Sequence, residues 1–429
     1  MSPLPKREPV FSFEQLTFAC LLVVGLFFPS SINGEHSTPA ILVAYAILIG
    51  LLTYVVWKQG IDRKALAFVS LPILLVLVGT SLYGFIRGPF DLDGGLFVKF
   101  SVLALVLALD LRRSRSGAFV DFTFALANCV NIACGIAILV GSEWVTDLLP
   151  TYYWTSDPKL VPLMMSLHKP VLTFGSHSLA GLFIYLFFWI NWQEFSLRGK
   201  RFSLLFALGY FVLLLGLASF TAFGFAALAA AQMAISSWKS NPRLTVAVAL
   251  CVIATVSILT HALVEEIDDL GELPQIADTA FLNGDFSGPV SRYGINGSLR
   301  PAIMYLFDHP FSPIGLSRSA SGLDVSSPTH FFVGDSGPVE YLLRGSVPLL
   351  VLIYFGLYRF LRRNLVSRAH STTLFLVILA FEAGFSALDS SRTFFLLPFF
   401  VVYLNQTVTQ RMSCSPHGVA FPERQAFSV

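Results

Sequence analysis

Ser291–Arg318 reads SRYGINGSLRPAIMYLFDHPFSPIGLSR and stands inside the longest polar run of the chain, about 264–337. The run closes on His330–Gly345, HFFVGDSGPVEYLLRG, which leads back into apolar sequence. Almost everything on either side reads as membrane helix. The chain is therefore read as a hydrophobic frame that holds one large polar loop, and the loop carries the unusual side chains: Arg292, Arg300, Asp308, His309 and Arg318.

Working outward, the composition fixes the class. The 429 residues are 55% hydrophobic and 13% charged, where a soluble domain carries about 25% charge. A polytopic, all-α membrane protein is expected. The net charge of +2 points to no nucleic acid, because Lys and Arg sit in short clusters between apolar runs. The five cysteines (Cys20, Cys129, Cys134, Cys251 and Cys414) form no CxxC or zinc spacing and read as packing residues. Lys6 and Arg7 followed by the apolar run 16–28 resemble a signal sequence. No small-x-small cleavage site follows, so an uncleaved first helix is expected.

A spanning helix needs roughly 20 apolar residues. Stretches of that kind lie at about 13–29, 39–57, 65–86, 95–110, 118–141, 171–192, 202–217, 221–237, 244–263, 338–358, 371–388 and 392–406. The seventh and eighth are separated only by Ala218–Phe220 and read as a tight helical hairpin. With the N-terminus inside, the loops predicted inside carry Lys58, Arg63, Lys64, Arg112, Arg113, Arg115, Arg198, Lys200, Arg201, Lys239, Arg243, Arg359, Arg362, Arg363 and Arg368. Every predicted inside segment is basic, as the positive-inside rule demands. The reading is about twelve helices with both termini cytoplasmic. Its parts are an N-terminal bundle of about nine helices (1–263), the large loop (264–337), the C-terminal helices (338–406) and a polar, disordered tail (407–429). The second-longest loop, 142–170, falls on the same side as the large one. Its Trp144, Tyr152, Tyr153 and Trp154 suit an aromatic belt or a sugar-stacking lid.

Several chemistries are set aside by missing motifs. There is no Walker A sequence, GxGxxG or HExxH, so any substrate should arrive already activated. LRPAIMYLFDHP reads as a short helix with Pro301 in its first turn and the His309–Pro310 step as its end, burying Ile303, Leu306 and Phe307. Arg292, Arg300 and Arg318 crowd a loop where few cations are expected, and guanidinium forks bind phosphate oxygens. His309, His330 and Asp335 are possible bases, and Asp335 is equally a helix N-cap. Glu340 and Arg344 stand one turn apart in the tenth helix, where an (i, i+4) pair accounts for both. His177, in TFGSHSLAG, opens the sixth helix on the loop side. The acidic residues Glu265, Glu266, Asp268, Asp269 and Glu272 could bind a divalent cation, and read rather as a solvated helix end.

These features together resemble the O-antigen ligase and O-antigen polymerase superfamily of bacterial surface-polysaccharide assembly. The resemblance rests on topology and three local patterns. LTFGSHSLAGLF is similar to the polar opening of a mid-chain helix. Leu299–Met304, then Asp308–Phe311 and Gly315, is similar to the family's Arg, short helix, His-Pro, Gly order. Asp335-Ser336-Gly337 followed by Gly345 is similar to its loop-to-helix junction. Where ligases carry His-Asn at that junction this chain reads Gly334-Asp335, and SFTAF lacks the Arg that often follows Ser there. Both departures favour a polymerase over a ligase.

The resemblance implies a GT-C-like fold in the bacterial inner membrane and a metal-independent, inverting glycosyl transfer on the periplasmic face, with no cofactor. The donor would be an undecaprenyl-diphosphate-linked saccharide, and the further partners a chain-length regulator and a flippase. Arg300, with Arg292 and Arg318, would meet the leaving diphosphate. Asp335, His330 and His309, in that order, would supply the base, while His177 and Arg344 would line the substrate site. The rival from another class is a flippase or transporter of the same lipid-linked sugars. Such proteins commonly show repeat symmetry and intramembrane charge, and this chain shows no repeat.

Overall fold

A computed structural model of the chain describes residues 12–29, 31–32, 35–36, 38–87, 92–114, 117–153, 164–174, 176–238, 299–310, 312–317, 336–383, 386–388 and 390–414. The described residues are mostly helical: α1 Phe13–Phe27, α2 Thr38–Gln59, α3 Arg63–Ala65, α4 Leu71–Arg87, α5 Gly94–Ala108, α6 Ala118–Leu139, α7 Glu143–Tyr152, α8 His177–Arg198, α9 Arg201–Gly216, α10 Phe220–Trp238, α11 Arg300–Asp308, α12 Gly337–Asn364, α13 Arg368–Glu382 and α14 Ser391–Cys414. One π-turn, Leu66–Ser70, joins α3 to α4, and Ser31–Ile32 pairs antiparallel with Glu35–His36.

Eleven of the twelve predicted apolar stretches coincide with helices, and 244–263 lies outside the described residues. Four boundaries differ: the tenth stretch runs on to Asn364, and three others differ for a local reason. The sixth stretch becomes helical only at His177, because Leu172–Phe174 forms a 3-10 turn and Ser176 caps α8 by accepting the Leu179 N–H. The eleventh stops at Glu382, whose carboxylate takes the Leu388 N–H at 2.6 Å. The last runs on to Cys414, so the first residues of the expected disordered tail are helical. The α9–α10 hairpin is as tight as expected. Ala218 turns it with φ 44°, and Ser219 Oγ accepts the Ala222 N–H.

Four helical stretches are long and apolar enough to cross a membrane: Pro39–Gln59, Arg63–Ile86, Ala118–Leu139 and Gly337–Asn364. Shorter apolar helices include Phe13–Phe27, Gly94–Ala108, Arg201–Gly216 and Thr221–Ile235. The helices divide by where their apolar surface goes. On α8, Leu182–Ile190 is buried on every side, as is Thr393–Thr407 of α14. A helix that is apolar all round belongs in a core, and these two form the centre of the bundle. Phe187 of α8 stacks on Phe124 of α6 at 5.6 Å between centroids, and Phe124 meets Tyr403 of α14 at 4.4 Å. By contrast α2, α4 and α9 leave Leu42, Val43, Leu75, Leu82, Phe202 and Leu205 exposed. So much outward apolar surface suits lipid and would be a liability in water.

Close helix contact follows from small residues, as in membrane bundles generally. A Cβ on Gly209 or Gly216 of α9 would lie within 2.9 Å of Ile132 or 2.4 Å of Leu139 on α6. The same interface carries a dry polar knot. Asn128 and Asn191 hydrogen bond to each other (3.1 and 3.3 Å), and Tyr210 Oη donates to Asn128 Oδ1 at 2.9 Å. Pairing of this kind satisfies polar groups that water does not reach.

The basic connections gather at one end of the bundle. Arg363 at the end of α12 bonds Asp62 Oδ2 (2.7 Å) and the Leu109 carbonyl. Asn364 takes the Leu111 N–H at 2.7 Å, and Asn405 of α14 ties down Asn364 and Val366. Glu194 of α8 accepts from Arg198, Lys200 and Ser203. Burial alone would raise the Asp62 carboxyl, but the Ala65 N–H and the Arg363 guanidinium outweigh it and hold it below the usual aspartate range. The Arg112 hydrogen bond likewise lowers Asp110.

Candidate active site

The opposite end of the bundle holds the described part of the large loop. Helix α11 forms where expected. Arg300 opens it with Pro301 in the first turn, and His309 ends it as C-cap with φ −131° and ψ 57°. Its buried side differs from the expectation. Leu299 and Ala302 are buried, with Ile303, Tyr305 and Leu306 packed beside them against Ile314, Val339 and Leu343. Phe307 is 76% exposed, because the face centred on Leu299, Ala302 and Leu306 turns position 307 outward.

The surface that receives α11 is a broken helix. The α12 backbone leaves helical geometry at Gly345 (φ −144°, ψ 16°) and Ser346 (φ 55°, ψ −161°). The break frees carbonyls of the preceding turn, and a loop strand fills the place of the missing donors. Ile314 N–H bonds the Leu343 carbonyl at 2.9 Å, and Gly315 N–H bonds the Arg344 carbonyl at 3.1 Å. The next residue reaches the α4–α5 side: the Leu316 N–H donates to Ser81 Oγ (2.9 Å), and the Leu316 carbonyl accepts from the Asp93 N–H (2.9 Å). Gly315 adopts φ +59°, and a Cβ there would lie 2.6 Å from the Ser81 backbone nitrogen. Only glycine meets both conditions without strain.

Arg344 locks this junction. Its Nε meets Glu340 Oε1 at 2.8 Å, which is the (i, i+4) pair expected from the sequence. Its Nη1 donates to the carbonyls of Gly315 (2.9 Å) and Ser317 (3.1 Å). The side chain is buried, and its hydrogen bonds hold the loop strand against the break.

Among the other predicted site residues, Arg300 and His309 are both exposed, at opposite ends of α11. A helix rises 1.5 Å per residue, so about 13 Å of axis separates them. The His309 ring sits 5.0 Å from the Tyr305 ring. His177 is the first residue of α8. Arg292, Arg318, His330 and Asp335 lie outside the described residues, as does the acidic run 265–272. The N-cap of α12 is Ser336, not Asp335, with extended backbone at φ −159°.

Two charged residues at this end were not singled out from the sequence. Glu382 is completely buried and joins Leu388 to Tyr354, whose hydroxyl lies 3.3 Å from Oε2. Arg392, the second residue of α14, is half-buried and donates to the Leu26 carbonyl and Thr173 Oγ1. Its signal was available: it is a cation at the end of a helix where the charge alternation allows few. Nearby, Tyr153 donates to the Phe27 carbonyl at 2.7 Å, and burial pushes its phenol above the usual tyrosine range. Helix α7 also borders a cavity of about 520 Å³ lined by Gly141, Glu143, Asp147, Pro150, Met165 and His168. No protein-family model matches the chain, and no curated protein matches it.

Proposed function

We propose that the protein is a bacterial inner-membrane glycosyltransferase that polymerises undecaprenyl-diphosphate-linked oligosaccharide repeats into O-antigen or exopolysaccharide on the periplasmic face. The observation that carries the reading is the polarity of the bundle. Its basic connections converge at one end, while the other end presents α11 on the Arg344-locked junction, with Arg300 and His309 exposed. Under the positive-inside rule the basic end is cytoplasmic, so the platform faces the periplasm. About twelve spans and a GT-C-like arrangement belong to the same reading.

The reaction sets the roles. An acceptor sugar hydroxyl attacks the anomeric carbon of the donor, and the bond from that carbon to the diphosphate oxygen breaks with inversion. The electron pair leaves on the diphosphate, and the hydroxyl proton passes to a base. Arg300 faces the departing charge, with Arg292 and Arg318 as its loop partners. Asp335 leads His330 and His309 as base. Arg344 acts by positioning, since its Nε and Nη1 donate to Glu340, Gly315 and Ser317. His177 stands at the same end, at the opening of α8.

The test is mass spectrometry of the lipid-linked saccharides in a strain lacking the gene, complemented with wild-type or R300A protein. Single repeats on undecaprenyl diphosphate, with polymer lost in both the deletion and the R300A strain, are expected. Long chains retained on the lipid would instead mean a ligase. Repeats trapped on the cytoplasmic side would mean a flippase, and an unchanged pool would refute the family of readings altogether.

A further inference from the structure

Arg392 is held in an unusual way for a cation at the end of a membrane helix. Its Nη1 is fixed by the Leu26 carbonyl (3.3 Å) and by Thr173 Oγ1 (3.0 Å), and Thr173 itself donates to the same carbonyl at 2.7 Å. The guanidinium lies 5.3 Å from the Phe174 ring and 5.9 Å from the Tyr153 ring. Phe174 is in turn stacked flat on Phe183 of the central helix, at 4.7 Å and 2°. Three segments therefore orient the guanidinium that the start of α14 carries: the end of α1, the residue after α7 and the 3-10 turn before α8.

Among the described residues, the hydrogen bonds take up only part of the fork. A guanidinium has five N–H donors, and only Nη1 finds acceptors among the described residues. No described carboxylate pairs with it. Asp389, three residues earlier in the chain, lies outside the described residues. The remaining attractions, a helix C-terminus and two aromatic faces, place the charge without neutralising it. A cation held by carbonyls and aromatic faces, with no described carboxylate beside it, is a functional candidate. A pre-oriented guanidinium whose Nε and Nη2 have no acceptor among the described residues is built to take two oxygens of one anion, and phosphate matches that geometry.

We propose that Arg392 is a phosphate-binding residue that grips the phosphate-bearing headgroup of a lipid at this end of the bundle. The choice of a lipid diphosphate as that ligand rests on the function proposed above. Arg392 would then hold the diphosphate at the bundle wall, while Arg300 approaches from the loop. The aromatic rings beside it exclude water from the ion pair, which strengthens it.

The experiment uses the full-length protein in phosphatidylcholine nanodiscs, with undecaprenyl diphosphate as the titrated probe. Wild-type protein should bind it, and R392Q should bind about tenfold to a hundredfold more weakly, as expected for lost hydrogen bonds to a charged group. R392K keeps the charge without the fork and should fall in between. Should R392Q fail to fold, as judged by thermal unfolding, the R392K comparison decides: affinity equal to wild type overturns the assignment. Equal binding by folded R392Q would overturn it as well. Inorganic pyrophosphate and phosphatidylglycerol serve as competitors. Competition by pyrophosphate at equal concentration would make the ligand a free diphosphate, and competition by phosphatidylglycerol would make it a bulk lipid headgroup. Binding and polymerisation are read separately. Lost binding in R392Q with an unchanged saccharide pool on gene deletion would retain this site and reject the polymerase. Equal binding in R392Q with accumulated single repeats would do the reverse.

Discussion

At the scale of single residues, Asp62 shows how the basic end is held. Its carboxylate caps α3 by accepting the Lys64 and Ala65 N–H groups, and it also receives Arg363 Nη1. Its folded pKa is lowered, so its contribution to stability is present above the unfolded value of about 3.9 and is lost as pH falls through the folded value. Asp110 behaves in the same sense through Arg112. The unfolding temperature in detergent should therefore be flat from neutral pH to about pH 5 and drop below about pH 4. D62A should cost at least about 1 kcal/mol, the usual worth of a lost N-cap. D62N keeps cap oxygen but loses charge, and should flatten the acid limb. An acid limb of undiminished depth in D62N would show that the titration lies elsewhere. Some residue-level features were legible because they obey short-range rules, such as the Glu340–Arg344 pair. Arg392 was legible only as a cation out of place; its setting was not, because its partners Leu26 and Thr173 are distant in sequence and one of them acts through its backbone carbonyl.

At the scale of elements, the junction between the loop and α12 depends on two unusual backbone positions that respond oppositely to mutation. Gly315 needs its positive φ and has the Ser81 backbone against it, which cannot give way. G315A should cost about 1–2 kcal/mol from conformation alone, with a further loss as the Leu316–Ser81 bond is pushed apart. Ser346 sits at φ 55° and ψ −161°, a region that glycine alone enters freely. S346G should relieve strain of about 1–3 kcal/mol against an entropic cost of about 0.5–1 kcal/mol, for a small net gain. Thermal unfolding of the two variants checks the sign. A stabilised G315A would mean the loop strand is not seated on the break. The expected short helix from Arg300 and the boundary at His309–Pro310 were readable from proline chemistry. The break was readable only as a glycine at Gly345. What makes it a break is the pairing of Ile314 and Gly315 with carbonyls some 29 residues away, the separation of Gly315 from Arg344. Single-helix patterns carry no information about such pairing, and the same reason placed Phe307 wrongly on the buried face.

At the scale of the whole molecule, apolar stretch length and charge alternation carried the reading furthest, since both are set by the bilayer rather than by distant contacts. The structure adds that connections separated by hundreds of residues meet: Asp62 with Arg363, and Leu111 with Asn364. Which end faces the cytoplasm is a prediction of the positive-inside rule and can be measured without any activity. Asp308 is exposed on α11 at one end, and Arg201 is exposed at the start of α9 at the other. In intact cells a membrane-impermeant maleimide should label D308C and leave R201C unlabelled until the membrane is permeabilised. The native Cys20, Cys129 and Cys134 are free thiols within helices, so the untreated parent protein sets the background. The opposite pattern would turn the bundle over, put α11 and Arg392 against the cytoplasm, and leave a periplasmic transfer reaction without a site. Labelling of both positions in intact cells would break the link between the converged basic loops and the cytoplasm. The charge alternation would then have to be explained by the Asp62, Glu194 and Asp121 carboxylates that those cations meet.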